Sequence, residues 1–103
     1  MITKTSALSG ALLDYWVAKA ENRPSETEFA PSSNWGHGGP ILEREGIHVA
    51  PMPARNGTWC AISLGKLQER PGGIRGTWVE GPTLLVAGMR AYVAAKFGPT
   101  VDA

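Results

Sequence analysis

Apolar positions recur at helical spacing in two stretches of the chain and alternate with polar ones in a third, and this change of period outlines the fold. The clearest stretch covers residues 81–99. There Leu85, Val86, Met89, Tyr92, Val93 and Phe97 share one broad face at about 100° per residue, and Ala87, Ala91, Ala94 and Ala95 cover most of the other. Pro82 or Thr83 opens the first turn, and Gly98-Pro99 supplies a left-handed cap followed by a residue that cannot continue a helix. Arg90 and Lys96 are its only charges. The pattern predicts a helix packed on two sides, with Gly88, Ala91 and Ala95 letting another backbone approach closely.

An earlier helix is marked by Leu12, Leu13, Trp16, Val17 and Ala20 in one stripe, with Asp14 and Glu21 opposite. Thr5, Ser6 or Ser9 can cap it, and Asn22 with Arg23-Pro24 ends it near Glu21. Over residues 24–40 the periodicity disappears and Pro, Ser and Gly take over, which predicts a long connection carrying Phe29 and Trp35. Residues 36–40 (Gly-His-Gly-Gly-Pro) force tight backbone geometry, and 41–46 read as one helical turn or a short strand. Residues 47–49 read as β and continue through Pro51 and Pro53 only on an edge, because proline cannot donate to a ladder. Asn56-Gly57 is a type I′ hairpin signal, and 58–64 alternate behind it. A third strand is predicted over 74–79, and residues 1–4 are a frayed lead-in or a short strand. The expected fold class is α+β, a small antiparallel sheet of about three strands packed against N-terminal and C-terminal helices.

Composition narrows the function classes. A chain of 103 residues, 43% hydrophobic and 18% charged, is expected to form one globular domain over 1–103. Its net charge is +1 with the signs interspersed, which argues against nucleic acid or a membrane surface as partner, since either needs a basic patch. The single Cys60 cannot staple the fold and suits a reducing compartment. The start shows no secretory leader and no apolar run reaches membrane-spanning length, so a cytoplasmic location is expected.

Three segments carry a resemblance: Leu8-Ser9-Gly10-Ala11-Leu12-Leu13-Asp14 with Val17-Ala18-Lys19-Ala20, then Trp35-Gly36-His37-Gly38-Gly39-Pro40-Ile41-Leu42-Glu43-Arg44-Glu45, then the stretch from Gly81 through Met89-Arg90-Ala91-Tyr92-Val93-Ala94. In this order they resemble the NinX-like family of small phage and prophage proteins, a family of unknown function. The resemblance implies a phage or prophage origin and action inside a bacterial host. It implies no reaction.

The candidate chemistry is sparse. Residues 36–39 lack the Gly-Lys-Ser/Thr of a P-loop and the preceding strand of a dinucleotide fingerprint, so they read as a turn that shapes the loop. His37, His48, Cys60, Glu43 and Glu45 show no recognised ligand spacing, and Cys60 facing His48 across the hairpin would lack a third orienting group. No catalytic residue, metal or cofactor is therefore assigned. Arg90, at the border of an apolar face, is expected to find a carboxylate partner in Glu43 or Glu45. Among the four tryptophans, Trp16 and Trp59 are expected in the core. Trp35 and Trp78 are expected to be partly exposed, although a loop tryptophan also serves as an anchor.

These residues define a candidate binding set of Trp35, His37, Glu43, Arg44, Trp78 and Arg90. The reading they favour is an interaction module contacting a host or phage protein through residues 35–45, with a homodimer through the alanine face as a further possibility. The alternative is a small ligand-binding protein or enzyme using the same loop as a pocket. Convergence of His37, Glu43, Arg44 and Arg90 in one concavity would favour the alternative.

Overall fold

The C-terminal helix is the element on which the others pack. The computed structural model describes residues 2–24, 28–63 and 78–103. Their order is β1 (Ile2–Lys4), a 3₁₀ turn (Thr5–Ala7), α1 (Gly10–Ala20), α2 (Trp35–Glu45), β2 (Ile47–Met52), a 3₁₀ turn (Pro53–Arg55), β3 (Thr58–Ser63), β4 (Val79–Gly81), α3 (Leu84–Phe97) and β5 (Thr100–Asp102). Strands β2, β3 and β4 form an antiparallel sheet in that spatial order, with Val49 opposite Ala61 and Ala61 opposite Val79. A separate antiparallel pair, β1 with β5, joins the two ends of the chain. The architecture is α+β, with α3 packed against the larger sheet and against both other helices.

The expected amphipathic helix α3 is buried nearly all round. Leu85, Ala87, Met89, Ala91, Tyr92, Val93 and Ala94 are each no more than 4% exposed. Its alanine face is therefore covered within the chain: Gly81 brings β4 so near that a Cβ there would lie 2.6 Å from the Ala87 nitrogen. The Thr83 hydroxyl accepts the Val86 N–H at 3.1 Å and caps the start. At the other end Gly98 takes φ +94° and donates to the Ala94 carbonyl. Helix α1 lays Leu13, Trp16, Val17 and Ala18 into the core, and Trp16 meets Phe97 edge to face at 5.2 Å. Leu12, placed in the same stripe by its spacing, points outward and is 42% exposed.

Two local expectations are corrected. Residues 35–40 are not loop: they begin α2, an eleven-residue helix that contains Pro40. Gly and Pro disfavour helices locally, but here the Asn34 carboxamide caps the Gly36 N–H at 2.8 Å, and Gly38 is pressed against another part of the chain, so tertiary contact overrides propensity. The β2–β3 connection is also longer than a two-residue hairpin. A 3₁₀ turn precedes Asn56 and Gly57, which both take the positive φ that their sequence predicts, +60° and +75°. Among the described residues strand β2, which carries Pro51, stands at the edge of the sheet. The third strand begins at Val79 and runs to Gly81, while the predicted part over 74–77 lies outside the described residues. No helix among the described residues is long and apolar enough to cross a membrane.

Because α2 depends on its cap, Asn34→Ala is expected to lower unfolding free energy by about 1 kcal/mol. Denaturant titration, read against Asn34→Asp as a cap-retaining control, checks this.

Candidate functional site

The six candidate residues fall into three places. His37 faces inward along α2: its Nδ1 accepts the Ala30 N–H at 3.0 Å, and its ring lies against buried Phe29 at 5.5 Å. Asp14 accepts the Ser32 N–H at 2.9 Å from the other side. The turn before α2 is thus anchored by Phe29, His37 and Asp14, not by Trp35. Glu43 stands exposed on the same helix.

Arg44 belongs to a polar knot that ties all three helices together. Its guanidinium is bidentate on Glu21 at the end of α1, with Nη1 3.0 Å from Oε1 and Nη2 2.6 Å from Oε2. Its Nε–H donates to Glu45 at 2.8 Å, and Nη2 also reaches the Tyr92 hydroxyl on α3 at 3.2 Å. The Tyr92 hydroxyl in turn donates to Glu21. The Arg44 hydrogen bonds, aided by the one from Tyr92, hold the Glu21 carboxyl below its usual range against the opposing effect of burial. Burial, and then the Glu21 carboxylate, push the Tyr92 phenol well above its ordinary value. Glu21 and Tyr92 carried no such signal in sequence. Glu21 reads as a solvent-facing position, and Tyr92 as one more apolar member of its stripe.

Arg90 does not pair with Glu43 or Glu45. Its Nε–H donates to the Leu8 carbonyl at 2.7 Å and Nη1 to the Glu80 carbonyl at 2.8 Å, so it bridges the chain's first turn to β4. Burial lowers its pKa. The physical reason for the changed partners is position: α2 holds its glutamates beside the end of α1, whereas Arg90 points to the opposite junction. Among the described residues His37, Arg44 and Arg90 consequently make separate contacts in different parts of the fold.

Trp35 and Trp78 remain on the surface, 57% and 51% exposed. Each borders an open cavity. One, of about 470 Å³, runs between Trp35 and the first turn of α3 and is walled by Leu84, Leu85 and Val86, with Ser32, Ser33 and Gly10 at its end. The other, of about 490 Å³, contains Trp78, Arg90 and Thr58. Pro82 lines the second and Thr83 the first, so the two open on either side of the β4–α3 junction. His48 is exposed opposite Ile62, and the Cys60 thiol lies 3.6 Å from the Ala50 carbonyl. Among the described residues no three His, Cys, Asp or Glu side chains are grouped to hold a metal.

The family model described as Bacteriophage P22, NinX matches residues 4–96. The chain belongs to this family. The match to NinX spans all six candidate residues, the Glu21–Arg44–Tyr92 knot and both cavities, and leaves out β5. No curated protein matches the chain. Membership identifies a phage protein of unknown biochemical function, so any chemistry must be argued from the surfaces themselves.

Proposed function

We propose that the chain is a small binding module acting in the cytoplasm of a bacterial host, where it holds a host or phage protein through Trp35 and the groove beside it. One observation carries the reading: a large indole, more than half exposed, stands at the edge of a groove whose walls are the apolar Leu84, Leu85 and Val86. Exposed aromatics beside a concavity are the usual anchors of protein contacts. The proposed occupant is a segment of the partner that inserts an apolar side chain and carries a neighbouring carboxylate. Charge favours that choice. Gly10, Trp35 and Leu84 begin α1, α2 and α3 around this groove, and none of the three helices has an acidic residue in its first turn to offset its positive end. The alternative, a small enzyme or ligand-binding pocket, draws less support, because His37, Arg44 and Arg90 are each committed to a different part of the fold.

The test is affinity capture from nuclease-treated and untreated bacterial lysate with wild type and Trp35→Ala. The substitution removes a surface ring and is expected to change stability by no more than about 0.5 kcal/mol. A partner captured by wild type in both lysates should bind the variant roughly thirty-fold more weakly, the effect of losing a hot-spot tryptophan. Equal capture by both proteins, or capture that disappears on nuclease treatment, would overturn the proposal. His37 is left intact because its loss would release the Ala30 turn.

A further inference from the structure

The cavity on the other side of the β4–α3 junction holds polar capacity that the protein does not use. Arg90 enters it from α3 in a fixed plane, because Nε and Nη1 are fastened to the carbonyls of Leu8 and Glu80, residues from two different parts of the chain. A guanidinium carries more donors than these two bonds occupy, and among the described residues Nη2 donates to no group and no carboxylate pairs with it. Thr58 lines the same cavity, with its hydroxyl turned out of reach of solvent. A fixed guanidinium with unused donors at a cavity calls for an acceptor supplied by a ligand. Beside them Trp78 presents a half-exposed ring, a flat apolar surface for stacking.

We propose that this cavity binds a small aromatic carboxylate, its oxyanion on the free edge of the Arg90 guanidinium and its ring against Trp78. An arginine held by two carbonyls keeps its charge at any physiological pH and matches the planar fork of a carboxylate. Orientation needs no further ordering, since the side chain is already fixed, and that lowers the entropic cost of binding. The volume, about 490 Å³, is of the size that holds a small organic molecule. The site is independent of the Trp35 groove, so the two readings stand or fall separately.

The experiment follows the Trp78 indole N–H and the Gly81 amide in spectra of ¹⁵N-labelled protein during titration with benzoate, neutral benzamide and phenyl phosphate. Benzoate should give a saturable shift, neutral benzamide should bind at least about tenfold more weakly, and phenyl phosphate shows whether the fork also takes a tetrahedral anion. Trp78→Ala, a change at an exposed position that keeps the fold, should weaken benzoate at least about tenfold when read from Gly81, and Arg90→Lys should do the same. Three results would each overturn the proposal: no saturable shift with benzoate, equal binding of benzamide, or undiminished benzoate binding by a folded Trp78→Ala protein.

Discussion

Gly38→Ala is expected to destabilise the fold by roughly 3 kcal/mol, the upper end for forcing extra volume into a packed interior. Gly38 sits on the buried side of α2, and a Cβ added there would lie 2.4 Å from the Pro31 carbonyl oxygen and 2.8 Å from the Leu85 side chain. The nearer atom is backbone. It belongs to the turn that Asp14, His37 and Asn34 tie down, so it cannot retreat without releasing those hydrogen bonds. Gly88→Ala provides the comparison. Its added Cβ would meet the Leu42 Cδ2 at 2.5 Å, but that is the end of a flexible side chain that can turn aside. Replacing a mid-helix glycine also favours the helix by about 1 kcal/mol. Gly88→Ala should therefore lie close to wild type in chemical denaturation while Gly38→Ala falls well below it. Similar losses for both would mean that the α2–α3 contact, and not the fixed turn, governs this part of the core.

The same glycines show what was legible in the sequence. Helices α1 and α3 and the β2–β3 pair could be read because their signals are local: an apolar stripe of one period, a Thr83 cap, a proline after Gly98, an Asn56-Gly57 turn. Helix α2 could not, since its glycines read as breakers until the Pro31 carbonyl and Leu85 are seen to need the space that a side chain at Gly38 would fill. The β1–β5 pair joins opposite ends of the chain, and nothing within either tripeptide announces the other. For the candidate site, the exposure of Trp35 and Trp78 was readable from their irregular positions. The partners of Arg44 and Arg90 were not, because an arginine's partners are set by which elements meet, and Glu21 and the Leu8 carbonyl are distant in sequence from both. Thr58 carries no sequence signal; only the cavity around it singles it out.

Stability should fall at both ends of the pH scale, and the Glu21–Arg44–Tyr92 knot should set much of each limb. Glu21 has a folded-state pKa below its ordinary value of 4.5. The unfolded chain therefore takes up the proton first as pH drops, so the stabilisation is complete above about 4.5 and is lost as pH falls through the folded pKa. Tyr92 is shifted upward from 10.0, so the folded protein keeps a phenol proton that the unfolded chain releases. Its contribution is complete below about 10 and declines as pH rises beyond it. Thermal melts from acid to alkaline pH should show a plateau between these limbs. Glu21→Gln should flatten the acid limb and shorten the alkaline limb, because the carboxylate is one of the causes of the upward Tyr92 shift and without it the folded and unfolded values draw together. Tyr92→Phe should remove the alkaline limb and cost about 1–2 kcal/mol at neutral pH, since Glu21 then loses a donor within a mostly covered site. Arg44→Met should cost about as much or more, because it takes the bidentate partner from the same carboxylate. If the acid limb of Glu21→Gln matches wild type, another carboxylate governs acid unfolding, and the knot is only one contact among many between α1, α2 and α3.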